Sequence, residues 1–167
     1  MRQVLETPRL RLREFCAADL DELAPMVADE EQMRFYPHTR TREEESAWLD
    51  RHLAMYDECG YGFWLIEAAG DGRFAGYCGI RPLQLDGRAE TEIGWHVHKR
   101  VWNEGIATEA AGAVRAHAAE RFGLDRLVAL IYADHAASIR VAENIGMTRE
   151  GVTVLDGDAY EVYATVS

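Results

Sequence analysis

Three short turns of Gly and Asp divide the chain and dictate much of its connectivity: Gly70-Asp71-Gly72, Asp86-Gly87 and Asp156-Gly157. Both residue types tolerate the positive backbone φ that tight hairpins demand, so runs flanking such a turn return antiparallel. Gly62 to Ala68 and Arg73 to Ile80 flank the first turn, and Ala89 to Val97 follows the second. This order predicts an antiparallel meander of three strands. In its third run, alternation sends Glu90, Glu92 and Gly94 one way and Thr91, Ile93 and Trp95 the other. The third turn joins two last strands, Met147 to Val154 and Tyr160 to Val166.

Helical periods fill the intervals. Leu10 and Leu12 alternate with Arg11 and Arg13 in a strand between Arg9 and Phe15. A helix capped by Asp19 follows, with Leu20, Leu23 and Val27 as its apolar stripe. Thr41-Arg42-Glu43-Glu44 has the spacing of a capping box and opens a helix whose Trp48, His52, Met55 and Tyr56 share a face. Ala107, Ala110, Ala111, Val114, Ala118 and Phe122 recur at helical spacing up to Gly123, and their small side chains let a helix lie close on a sheet. A strand over Arg126 to Tyr132 and a short helix over Ala136 to Ile145, closed by Gly146, complete the chain. Strands first and alternating helix and strand afterwards predict a mixed α/β fold: a mostly antiparallel central sheet flanked by helices, as a single domain over residues 1–167.

Charge and composition narrow the functions. A length of 167 residues with 48% hydrophobic content suits one core. The formal net charge of −11 opposes direct nucleic-acid binding, which needs a basic surface. An acidic field favours amines or basic peptide segments, and equally serves solubility. No apolar run approaches the roughly 18 residues of a membrane span, and Met1 to Pro8 carries charge where a signal peptide would be apolar. A cytoplasmic location with no membrane partner is the expectation. Cys16, Cys59 and Cys78 lack paired spacing. His96 and His98 could share one side of a strand, but no third ligand of suitable spacing accompanies them, so no metal is expected.

The informative segment is Trp102-Asn103-Glu104-Gly105-Ile106-Ala107-Thr108-Glu109-Ala110, between a strand and the alanine-faced helix. A helix starting here exposes its first N–H groups and positive dipole end, and Gly105 with Ala107 lets a phosphate approach the backbone. From the residues alone, a loop that merely starts a helix explains it equally well.

The same run resembles the coenzyme A loop of the GNAT acetyltransferases, in its RimJ/RimL form. A second block, His135-Ala136-Ala137-Ser138 followed by Ile139 to Met147, is similar to the family's Asn-x-x-Ser, short helix, Gly and bulky apolar residue. Thr7-Pro8-Arg9-Leu10, Gly76-Tyr77-Cys78-Gly79 and Glu92-Ile93-Gly94-Trp95 extend the resemblance over nearly the whole chain. It implies splayed strands that hold acetyl-CoA. Its contacts would be Trp95, His96 and Val97 on the splayed strand, Trp102, Asn103, Glu104, Gly105, Ile106, Ala107 and Thr108 in the loop, and His135 and Ser138 in the second block. Three positions depart from the pattern. Trp102 replaces a frequent Gln or Arg, His135 replaces Asn, and Ala142 replaces the Tyr that in many members protonates the leaving thiolate.

The implied chemistry is attack of a neutral amine on the thioester. The candidate catalytic residues are Glu92 as base, with Glu161 and then Glu90 as competitors, and Ser138 as hydroxyl donor to the thiolate. A water-exposed strand-edge carboxylate and a routine residue at a helix start are their bland counterparts. Backbone N–H groups from Trp95 to Val97 would serve the oxyanion. The resemblance implies a protein N-terminal α-amino group as leading acceptor and small-molecule amines as the alternative, and it allows a homodimer. A non-catalytic acyl-CoA sensing module and a purely structural domain are the rivals. Specificity is expected in Met26 to Tyr61, where Trp48, Tyr56 and Tyr61 line a pocket or fill the core.

Overall fold

The computed structural model describes residues 1–165, so Val166, expected at the end of the last strand, lies outside the described residues. In chain order the elements are β1 (Gln3–Glu6), β2 (Leu10–Arg13), α1 (Leu20–Ala28), α2 (Arg42–Cys59), β3 (Phe63–Ala68), β4 (Phe74–Leu85), β5 (Arg88–Val97), α3 (Ile106–Phe122), β6 (Val128–Ile131), α4 (Ala136–Asn144), β7 (Met147–Leu155) and β8 (Asp158–Thr165). The strands form one sheet in the order β1-β2-β3-β4-β5-β6-β8-β7. Every neighbouring pair is antiparallel except β5 with β6, which α3 joins by a crossover. The architecture is the mixed α/β, mostly antiparallel fold expected.

Turn chemistry explains the hairpins. Asp86 and Gly87 have φ of 49° and 77°, and Asp156 and Gly157 have 51° and 86°. Two successive positive φ values produce the tight reversal whose twist matches the strands. Thr41 and Glu44 form the expected reciprocal cap of α2: Thr41 Oγ1 accepts the Glu44 N–H at 3.2 Å and Glu44 Oε2 accepts the Thr41 N–H at 2.8 Å. Asp19 differs from expectation, because its carboxylate does not cap α1. It accepts the Cys16 N–H at 2.7 Å and two Arg13 N–H groups at 2.9 Å, tying the end of β2 to the helix start. The edge strand β1 was not expected at all, and β4 runs past Ile80 to Leu85.

The core has two layers on opposite faces of the sheet. The alanine face of α3 (Ala110, Ala111, Val114, Ala118, all 0% exposed) packs with Trp64, Ile80 and Ile93, with Ala142 of α4 and with Ile145 just beyond it. Leu23 and Met26 of α1 and Trp48 and Leu49 of α2 cover Phe63, Leu65, Phe74 and Tyr77. Between these layers the sheet opens. The β5–β6 pair has a single register match, Glu92 with Val128, after which β6 pairs only with β8 while β5 continues to Val97. Near the end of β5, Gly76 of β4 has φ +128°, and an added Cβ would overlap the His96 carbonyl oxygen, so only glycine lets the two backbones press together there. Among the described residues no helix is long and apolar enough to cross a membrane.

Candidate active site

The opening leaves one edge of β5 without a strand partner. His98 N–H donates to the Ala75 carbonyl at 2.8 Å, and Val97 and Trp95 lie opposite Gly76 and Cys78. In an antiparallel pair successive residues alternate between the two edges, so the N–H and C=O of Trp95 and Val97 face away from β4, into the gap. The Val97 carbonyl oxygen accepts Gln32 Nε2 and Trp102 Nε1, each at 2.9 Å.

A cleft of about 470 Å³ occupies this gap. One wall is the end of β5, from Trp95 to Val97, and the other is α4, with Ser138, Arg140, Val141 and Asn144. Its floor is the loop and helix start from Val101 to Thr108, and a strap from Glu31 to Tyr36, between α1 and α2, crosses it. Of the residues expected to hold a coenzyme, Trp95, His96, Val97, Trp102, Asn103, Gly105, Ile106, Ala107, Thr108, His135 and Ser138 come together here. Glu104 does not line the cleft; its carbonyl accepts Arg9 Nη1 at 2.8 Å.

The start of α3 suits an anion. Gly105 has φ +77°, no side chain caps the helix, and the Glu109 N–H makes the bond back to the Gly105 carbonyl. The N–H groups of Ile106, Ala107 and Thr108 precede that first helical bond and point out of the helix start. An external clamp holds the loop. Glu109 accepts Thr7 Oγ1 at 2.6 Å, Arg9 N–H at 3.1 Å and Arg9 Nε at 2.6 Å. Burial alone would raise the Glu109 pKa, yet these donors bring it below the usual carboxylate value.

Burial lowers the pKa of the histidines at or beside the cleft, His96, His98 and His135. His96 is 5% exposed, contacts the Tyr77 hydroxyl through Nδ1 at 3.0 Å and lies 4.6 Å from the Tyr36 ring. Burial pushes its pKa down to about 3. His98 turns elsewhere and accepts the Arg100 N–H. Among the described residues no three His, Cys, Asp or Glu side chains group as a metal site would need. His135 stacks on Phe35 with ring centroids 4.0 Å apart, so its imidazole fastens the strap to the start of α4, and burial lowers its pKa.

Ser138 lies in the first turn of α4, where no side chain makes a capping bond. Its Oγ accepts Trp95 Nε1 at 3.2 Å, a bond that bridges the two walls of the gap. With that lone pair occupied, its hydroxyl proton is free for another acceptor. Ala142 is fully buried and offers no phenol from this position of α4.

None of the three candidate bases lines the cleft, and each is held by an arginine. Arg81 Nε binds Glu92, Arg149 binds Glu161, and Arg126 binds Glu90 at 3.1 Å. Of the two roles left open for Trp48, Tyr56 and Tyr61, the structure shows the core one. Trp48 is 8% exposed, the Tyr56 hydroxyl donates to the Phe63 carbonyl and accepts the Phe15 N–H, and Tyr61 packs edge-on against Phe122. Gln32, Phe35 and Tyr36 fall within the Met26 to Tyr61 segment expected to carry specificity, but the sequence does not single them out. The only signal was a pair of aromatics in a stretch without period.

Comparison with known proteins fits this geometry. A family model described as "Acetyltransferase (GNAT) domain" matches residues 9–148. The uncharacterized protein YkkB of Bacillus subtilis (strain 168) is 34% identical over 148 residues, spanning 86% of this chain and 84% of that one. An acetyltransferase structure from Agrobacterium tumefaciens str. C58 superposes with a TM-score of 0.85 at 27% identity, covering 98% of this chain and 94% of the other. The ribosomal L7/L12 alpha-N-protein acetyltransferase RimL, solved with coenzyme A, shares the fold with a TM-score of 0.81 at 21% identity, covering 99% and 98%.

Proposed function

The chain belongs to the GNAT acetyltransferase domain family, and from that membership we propose that it moves acetyl from acetyl-CoA to a primary amine, with the N-terminal α-amino group of a protein as the leading acceptor. The observation that carries this reading is the unpaired edge of β5 facing the uncapped start of α3 across one cleft.

The residues present fit such a co-substrate. Gly105, with positive φ and no side chain, leaves the Ile106 to Thr108 N–H groups accessible to a pyrophosphate. The Trp95 and Val97 backbone gives an extended arm the edge it would pair with, and its N–H groups are donors for negative charge growing on a carbonyl oxygen. Acetyl-CoA supplies a thioester carbonyl and a thiolate leaving group. In the transfer a C–N bond forms as the C–S bond breaks, the amine proton passes to water, and Ser138 Oγ donates a proton toward the departing sulfur and regains one from solvent.

The paired carboxylates support the acceptor class. With Glu92, Glu161 and Glu90 all bound to arginines, the amine loses its proton to water, which favours an amine of low pKa. An α-amino group near pKa 8 is roughly a tenth neutral at pH 7, whereas a lysine near 10.4 is neutral in fewer than about one molecule in a thousand. RimL's action on an α-amino group agrees with this direction. The test measures acetyl-CoA binding and thiol release with peptides carrying either a free α-amino group or only a lysine amine. Binding without release from any amine would make the protein an acyl-CoA sensor.

A further inference from the structure

Gln32 lies in the strap between α1 and α2, 5% exposed, and both ends of its amide are engaged. Its Nε2 donates to the Val97 carbonyl at 2.9 Å and its Oε1 accepts the Lys99 N–H at 2.7 Å. Trp102 Nε1 donates to the same Val97 carbonyl at 2.9 Å. Val97 is the last residue of β5, and this carbonyl lies on the edge that faces the cleft. A buried carbonyl left without donors there would turn its lone pairs toward the place where negative charge must be received, and the strand end would be free to rotate.

We propose that Gln32, assisted by Trp102, is a positioning residue for acetyl transfer: it ties down the Val97 carbonyl and so fixes the direction of the Val97 N–H on the open edge of β5. The assignment rests on the acetyltransferase reading above. Holding the strap is not what requires this amide, because other bonds do that. Lys99 Nζ binds Asp29 at 2.7 Å and Glu31 at 3.0 Å, Arg40 N–H donates to the Val27 carbonyl at 2.9 Å, and Phe35 stacks on His135. Trp102 thereby fills the position where the resembling family often carries Gln or Arg by donating to the strand end through its indole.

Three variants test the proposal, two of them at Gln32. Gln32→Leu removes both amide bonds. Gln32→Glu keeps the size and the acceptor for Lys99 but sets an oxygen against the Val97 carbonyl. Both should lower kcat at least about 10-fold while the KM for acetyl-CoA stays within about 3-fold, because the loss falls on the transition state. The ¹³C′ chemical shift of Val97 should move in both, and Trp102→Phe should give a smaller loss in the same direction. A role limited to the Lys99 contact predicts that Gln32→Glu behaves as wild type, and that result would overturn the proposal, as would wild-type kcat in a folded Gln32→Leu protein. Should the wild type bind no acetyl-CoA and acetylate no amine, the acetyltransferase reading fails by itself. The Val97 shift then still decides the carbonyl tie, and an unmoved shift overturns it.

Discussion

At the scale of single residues, the bond from Trp95 to Ser138 leaves the hydroxyl proton available for the proposed donation to the departing thiolate. Trp95 Nε1 occupies one lone pair of Ser138 Oγ, and Ser138 makes no capping bond to α4. A thiol of pKa about 8.5 leaves without much help, so general-acid assistance lies at the low end of its usual 10²–10⁴-fold range. Ser138→Ala should lower kcat by about 10²-fold, with coenzyme affinity and melting temperature nearly unchanged. Full turnover in the variant would remove Ser138 from the mechanism. Two other residues set an acid limit on stability. Burial pushes His96 down to about 3 and His52 to about 4, from an ordinary 6.5. Their folded pKa values are depressed, so the contribution is complete above pH 6.5 and is lost as pH falls through about 4 for His52 and about 3 for His96, an interval in which the unfolded chain binds protons that the fold refuses. Melting temperature should therefore decline across that interval, and His52→Gln, which keeps a donor for the Trp48 carbonyl, should flatten the decline. Equal slopes for variant and wild type would contradict this.

Among the elements, the start of α3 carries the coenzyme reading. Gly105 has φ +77°, where an L side chain is strained, and an added Cβ would sit 3.4 Å from Arg9 Nη2 and crowd the approach to the helix N–H groups. Gly105→Val should abolish the rise in melting temperature that acetyl-CoA produces, at a cost of about 1–3 kcal/mol in the apo protein. A folded variant with the full ligand shift would show that the pyrophosphate binds elsewhere. The elements also show what a sequence reveals. The Asp-Gly hairpins, the Thr41 cap and the alanine face of α3 were legible because each is written in local turn chemistry or in one helical period. The edge strand β1 was not, since four residues without a turn signal carry too little pattern. The strap was not either: Gln32 reaches Val97 and Lys99 across separations of 65 and 67 residues, and no local signal records such a contact. Glu92 shows the same limit from the other side, for its place on β5 was readable while its pairing with Arg81 was not.

For the whole molecule, the layers on either side of the sheet explain why the site lies where it does. The α3 and α4 layer holds one wall of the cleft, the strap from the α1 and α2 layer crosses it, and the parted strands β5 and β6 supply the unpaired backbone between them. Every candidate carboxylate base is ion-paired with an arginine of this framework, and under the proposed function the acceptor's own pKa decides which amines react. The most direct measurement is acetyl-CoA thiol release with two peptides that differ only in whether the α-amino group or a lysine side chain is free, followed from pH 6.5 to 9.5. The α-amino peptide should react at least about 10²-fold faster at pH 7 and its rate should level off above pH 8, while that of the lysine peptide keeps rising. Equal rates at pH 7, abolished by Glu92→Gln, would contradict this and place a working base at Glu92.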